Sequence, residues 1–136
     1  MMPGFLFDSH ALLAFFQNER GAEMVLEFLK KTKNNGIEPL ICVINLGEIL
    51  YLTKRRFGDA KKIEILGRIH QLSFNIIPAT NDLVFQAAEI KADYPISYAD
   101  SFAVACARDQ SAEIVTGDTE FEKVEHLVKI HWIQSR

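Results

Sequence analysis

Residues 4–16 read GFLFDSHALLAFF, with an aspartate, a serine and a histidine set between two apolar runs. FLF has the content of a buried strand, whereas ALLAFF repeats apolar residues as a helix does, so the chain is expected to turn from strand to helix at Asp8. The charge needs a reason. An unpaired buried carboxylate costs several kcal/mol or takes up a proton. Asp8 is therefore expected either to cap the helix or to meet a cation.

The same alternation continues along the chain. Short runs at PLICVI (39–44), FNII (74–77), EIVT (113–116) and LVKIHWI (127–133) read as strands. Helical patterns fill 21–33, 46–57, 59–72, 82–93 and 98–109, with NNG at 34–36 and Pro95 as punctuation. In the helix over 21–33, Val25, Phe28 and Leu29 share a face, and over 98–109 Phe102 and Cys106 do. Strands alternating with helices of this length imply crossover units, hence an α/β fold with a mainly parallel sheet between helices. No repeat, low-complexity tract or linker interrupts the pattern, so residues 1–136 read as a single domain.

Composition narrows the class. Of 136 residues, 49% are hydrophobic and 24% charged, the usage of an ordinary globular protein. A net charge of −3 argues against coating nucleic acid by bulk electrostatics, so any such contact must be local. Cys42 and Cys106 lie far apart in apolar text and read as buried thiols. The start, MMPGFLF, lacks a signal-peptide pattern and no window is apolar enough for a membrane span, so a cytoplasmic protein is expected.

Four acids sit inside apolar text: Asp8, Glu48 in NLGEIL, Asp100 in SYADSF and Asp118 in TGDTEF. Each has a structural explanation. Asp8 and Asp118 follow strands and can be N-caps; Asn45 with Glu48, and Ser97 with Asp100, have the spacing of a capping box. Together they suggest more, because crossover helices in a parallel sheet all begin at the carboxyl edge, where open α/β folds place their sites. Carboxylates gathered there raise each other's pKa unless a cation intervenes. Oxygen ligation without His or Cys suits Mg²⁺ or Mn²⁺, one or two ions, held with water and completed by substrate phosphate. Such a centre hydrolyses phosphodiesters.

These residues resemble the pattern of the PIN-domain nucleases, in particular the VapC-type toxin ribonucleases of toxin-antitoxin pairs. The resemblance rests on FLFDSHALL, NLGEIL, SYADSFAVACA and TGDTEF and spans nearly the whole chain. It implies a five-stranded sheet ordered 3-2-1-4-5 and Mg²⁺- or Mn²⁺-dependent endonuclease cleavage of RNA. The family's four acids map onto Asp8, Glu48, Asp100 and Asp118 as catalytic and metal-binding residues, with Glu48 a ligand or a base. Ser9 and Thr116 match its small hydroxyl positions, where they would hold a metal-bound water or a neighbouring carboxylate. Glu120 stands where the family often has Asp and is not expected to ligate directly. A homodimer and a small antitoxin are implied as well, the latter able to push a basic side chain among the acids.

Other readings compete. A non-catalytic module of the same fold, binding RNA or protein, would be marked by loss of an acid, and all four are present. A receiver-like phosphoryl-transfer domain needs paired acids after the first strand and a lysine after a late one; DSH and TGD supply neither. His10 is expected to point away from Asp8, and His70, His126 and His131 sit in unremarkable amphipathic text. Lys54, Arg55, Arg56, Lys61 and Lys62 read as a solvated face falling away from the acidic edge, with guidance of an RNA backbone as the alternative. Phe15, Phe16, Tyr51 and Leu52 are taken as core, with partner contacts as the alternative.

Overall fold

The computed structural model describes residues 2–134. The strands are β1 (Gly4–Phe7), β2 (Leu40–Cys42), β3 (Asn75–Ile77), β4 (Ala112–Thr116) and β5 (Ile130–Trp132). All pair in parallel in the order β3-β2-β1-β4-β5, the order the family resemblance implied. The helices are α1 (Ser9–Phe16), α2 (Ala22–Asn34), α3 (Val43–Phe57), α4 (Asp59–Gln71), α5 (Asn81–Asp93) and α6 (Tyr98–Asp109), with a short 3-10 helix over Thr119–Val124.

Alternation along the strands divides the core in two. Phe5 and Phe7 of β1, Ile41 of β2 and Val115 of β4 face one way, into a cluster completed by α1 to α4 through Leu12, Val25 and Ile49. Leu6, Leu40, Cys42 and Ile114 face the other way, against α5, α6 and the 3-10 helix through Leu83, Phe102 and Phe121. A strand covered on both faces has no polar side, which is why β1 reads as a continuous apolar run. Cys42 and Cys106 are buried free thiols in the second cluster.

Two boundaries differ from the sequence reading. Val43 and Ile44 belong to α3, not to β2. β2 lies in step with β1, Leu6 opposite Leu40, so Cys42, the last residue of β2, falls level with Asp8, one residue past the end of β1. Their β-branched side chains made this first helical turn look like strand. The last strand likewise occupies only the end of LVKIHWI, with Ile114 opposite Ile130 and Thr116 opposite Trp132.

Candidate active site

The site grows from the end of β1. Asp8 is extended, caps α1 by accepting from the Ala11 N–H at 2.8 Å, and sits level with Thr116 at the end of the adjacent strand. Thr116 Oγ1 donates to the second Asp8 oxygen at 2.6 Å and accepts the Asp118 N–H at 3.0 Å. One hydroxyl thus joins the ends of β1 and β4. Asp118 in turn caps the 3-10 helix, accepting from the Glu120 N–H at 3.0 Å.

Two other helices bring the remaining acids. Ser97 caps α6 by accepting the Asp100 N–H at 3.1 Å, the cap half of the expected capping box. On α3 the expectation fails: Asn45 is no cap but lies within the helix, buried, its Nδ2 donating to the Ala99 carbonyl at 3.1 Å. Asn45 therefore ties α3 to α6. Glu48 falls in the second helical turn, not at the helix start, and accepts from Ser9 Oγ of α1. Ser9 and Thr116 each donate to a carboxylate, Ser9 to Glu48 and Thr116 to Asp8.

Glu48, Asp100, Asp118 and Glu120 line one cleft of about 590 Å³. Asp8 does not line it. It is 1% exposed and lies behind the cleft wall, with both oxygens hydrogen-bonded. Burial pushes its carboxyl up to about 8 despite the bonds from Thr116 and Ala11, and the charges of Asp100 and Asp118 push the same way. Asp100 rises to about 7, again chiefly by burial, then through Asp118, with Glu48 and Glu120 adding to the shift. The acids thus feel one another as a set. Among the described residues, no three His, Cys, Asp or Glu side chains form a closed metal cage. The donor set suits a hard ion that keeps several waters and touches one or two carboxylates.

Two cleft residues escaped the sequence reading. His10, read as pointing away from Asp8 and left out of the site, lies in the cleft wall. Its ring packs so closely on Gly117 that a β-carbon there would come within 2.6 Å of His10 Cε1, so TGD needs its glycine for this contact. Lys91, near the end of α5, reaches the cleft by donating to the Ile96 carbonyl at 2.7 Å. No local spacing announces it, because its position depends on residues 94–97 folding back over the helix end. Glu120 is partly neutralised by Lys123, 3.0 Å away. His126 pairs with Tyr94, and His131 with Glu113 at 2.7 Å, both outside the cleft.

Residues 5–127 match the family model described as the PIN domain. The chain belongs to the PIN-domain family. No curated protein matches it by sequence. Among solved structures, a chain of a toxin-antitoxin complex from Klebsiella pneumoniae superposes with a TM-score of 0.71 at 20% identity, over 98% of this chain and 100% of that one. A chain of DNA-bound VapBC from Salmonella typhimurium gives 0.75 at 14%, with 98% and 100% covered. VapC20 from Mycobacterium tuberculosis, described as a sarcin-ricin loop cleaving toxin, gives 0.70 at 16%, with 89% and 95% covered. At these identities the likeness is one of fold. The PIN domain here carries Asp8, Glu48, Asp100 and Asp118 at the carboxyl edge of the sheet, just past β1, on α3, on α6 and in the turn after β4.

Proposed function

We propose that this PIN domain is a Mg²⁺- or Mn²⁺-dependent endoribonuclease, the toxin of a type II toxin-antitoxin pair. The observation that carries the reading is the crowding of Glu48, Asp100, Asp118 and Glu120 in one cleft, with Asp8 behind it and two carboxyls held well above their ordinary pKa. Such a set is short of positive charge.

Asp100 and Asp118 would hold the ion, with Glu48 as a further ligand or as the base toward the attacking water. Bound there, the ion supplies a water acidic enough to attack at neutral pH and neutralises the phosphate. The chain's own residues fix the geometry. Thr116 orients Asp8 and the Asp118 backbone together, and Ser9 holds Glu48 toward the cleft. Asp8 stands behind the cleft wall with its carboxyl held up to about 8, and an ion bound in front of it would favour loss of that proton and so the anionic form.

The fold neighbours described as toxin-antitoxin complexes support an antitoxin partner. A basic side chain from such a partner would supply the missing positive charge and exclude the ion. A homodimer working in the cytoplasm completes the proposal. Among the described residues no helix is long and apolar enough to cross a membrane.

The test is cleavage of single-stranded RNA by purified protein with Mg²⁺ or Mn²⁺. Activity should vanish in EDTA, and Asp100→Asn should lose about 10²-fold or more, the scale for removing a principal electrostatic stabiliser. Equal cleavage in chelator, or full activity of Asp100→Asn, overturns the mechanism. The second reading, a non-catalytic module, is favoured by one observation: among the described residues no three acids close into a cage. Mn²⁺ titration followed by calorimetry separates the two, because that module would bind no ion.

A further inference from the structure

The acidic cleft continues into a second one. Between α1 and α3 lies a groove of about 630 Å³ that shares His10, Leu13 and Leu52 with the acidic cleft and ends among three arginines, Arg20, Arg55 and Arg56, and one carboxylate, Glu19. Helical periodicity builds both walls. On α1, His10, Leu13, Ala14 and Gln17 stand at steps of three and four; on α3, Leu52 follows Glu48 by four and precedes Arg55 and Arg56 by three and four. Arg55 and Arg56 thus keep to the Glu48 side of the helix, about 11–12 Å further along its axis.

Neighbouring charges give the contrast. Lys54 and Lys62 are paired with Asp59 and Lys61 with Glu64, as expected of a solvated face. Among the described residues, no carboxylate stands within ion-pairing distance of Arg20, Arg55 or Arg56. Arg55 lies over the Tyr51 ring at 5.2 Å and Arg56 over Phe57 at 5.1 Å, contacts that steady a guanidinium without neutralising it. The negative end of the α3 dipole favours cations in the last turn by only ~0.3–1 kcal/mol. It does not explain why the arginines line a groove unpaired.

We infer that the α1–α3 groove is the track for the RNA backbone, with Arg20, Arg55 and Arg56 binding phosphates on one side of the scissile bond. The inference rests on the ribonuclease reading and adds to it where the strand runs and which residues set affinity. The two ends choose the occupant. One end needs anions and the other a cation, and a phosphate chain arriving with a hydrated divalent ion satisfies both. A groove of this size falls among sites for ligands of a few hundred daltons, ~300–1,000 Å³. It takes a stretch of one strand, not a duplex.

The experiment uses a fluorescein-labelled single-stranded RNA oligonucleotide and the full chain with Asp100→Asn, which binds without cutting. Binding is followed by anisotropy across a KCl series. Adding Arg55→Gln and Arg56→Gln should weaken binding at least tenfold at low salt and flatten the plot of log K against log[salt] by about 1.4, since each phosphate contact on a single strand contributes ~0.7. Arg55→Lys with Arg56→Lys should keep most of the slope. In the otherwise wild-type chain, the Gln pair should raise KM with kcat little changed. Arg20→Gln gives an independent arm if the double variant misfolds by circular dichroism, and Lys62→Gln, outside the groove, should leave the slope alone.

Wild-type cleavage together with an unchanged slope and affinity in the Gln variants overturns the groove inference alone. Failure of the wild type to cleave, with failure of the Asp100→Asn chain to bind, overturns the ribonuclease reading and this inference with it. Gln variants that keep RNA affinity but lose a protein partner assign the groove to that partner and overturn the RNA track.

Discussion

The two ends of the α1–α3 groove handle charge in opposite ways. At the acidic end the carboxylates are crowded and partly withdrawn from water: Asp8 is fully buried, and Asp100 is nearly so. Asp8 is held by two fixed donors, the Ala11 N–H and the Thr116 hydroxyl, and the Ser97 side chain favours the Asp100 carboxylate. At the other end Arg55 and Arg56 are exposed and lie over aromatic rings. Buried charge in a rigid network carries a large energy that changes with protonation, whereas exposed charge is screened and responds to salt. Mutation should therefore act strongly and non-additively at the acidic end, and in modest steps at the basic end.

Loss of cleavage by Asp100→Asn is the largest effect expected of that contrast. Stability comes next. Asp8 has a folded pKa near 8 against an ordinary value of 3.8, because burial outweighs its hydrogen bonds. Below about pH 4 the folded and unfolded chains are both protonated there, and Asp8 contributes no pH dependence. Between about pH 4 and 8 the unfolded chain releases the proton while the folded chain keeps it, so stability without metal falls as pH rises, then levels off. Asp100 acts in the same direction up to about 7. Asp8→Asn keeps an oxygen for the Ala11 N–H and has no proton to lose. Urea unfolding in EDTA should find it close to wild type at pH 4 and more stable at pH 8, by up to about 5 kcal/mol. A wild-type stability that rises between pH 5 and 8 without metal would show that Asp8 ionises freely in the folded chain.

Thr116→Val sharpens the comparison from the side of the network. The shape is conserved, but the Asp118 N–H loses its acceptor and Asp8 loses its buried donor. A loss of about 2–4 kcal/mol is expected in thermal unfolding, one buried unsatisfied group at each end of the missing hydroxyl. Thr116→Ser should restore most of it. If Val and Ser behave alike, the hydroxyl does not couple the two strand ends.

The comparison also shows what a sequence can disclose. Alternating strand and helix patterns were legible because the central strands are covered on both faces and most helices bury one face, which writes burial directly into the text. The acids were legible as charges without local excuse. Their division of labour was not: whether a carboxylate lines a cleft or stands behind it depends on how far its strand reaches, and Asp8 stops one residue past the end of β1. The same limit hid Lys91 and His10, which reach the cleft through a folded-back loop and through a contact with Gly117. Tyr51 and Leu52, read as core, are 48% and 36% exposed, because the other side of α3 carries the burial through Leu46, Ile49 and Thr53. Basic residues 54–62 looked like one cluster. They separate into paired lysines and arginines without an ion-pair partner among the described residues only when α3 has a neighbour to face.

Lys91 is where the comparison is least clean, a cation placed among the acids. Its ammonium satisfies the Ile96 carbonyl and steadies the turn into α6, but it also opposes any metal ion entering beside it. Lys91→Met keeps the length and removes the charge. Thermal unfolding should fall by about 1–2 kcal/mol as the carbonyl loses a charged donor. Mn²⁺ binding measured by calorimetry should tighten a few-fold, because a like charge has been taken from the ion's surroundings. Tighter binding in a less stable protein would separate the two roles of one side chain. Weaker binding would mean that Lys91 supports the metal geometry through the turn it holds, and that the acidic end depends on this lysine for shape more than it suffers from its charge.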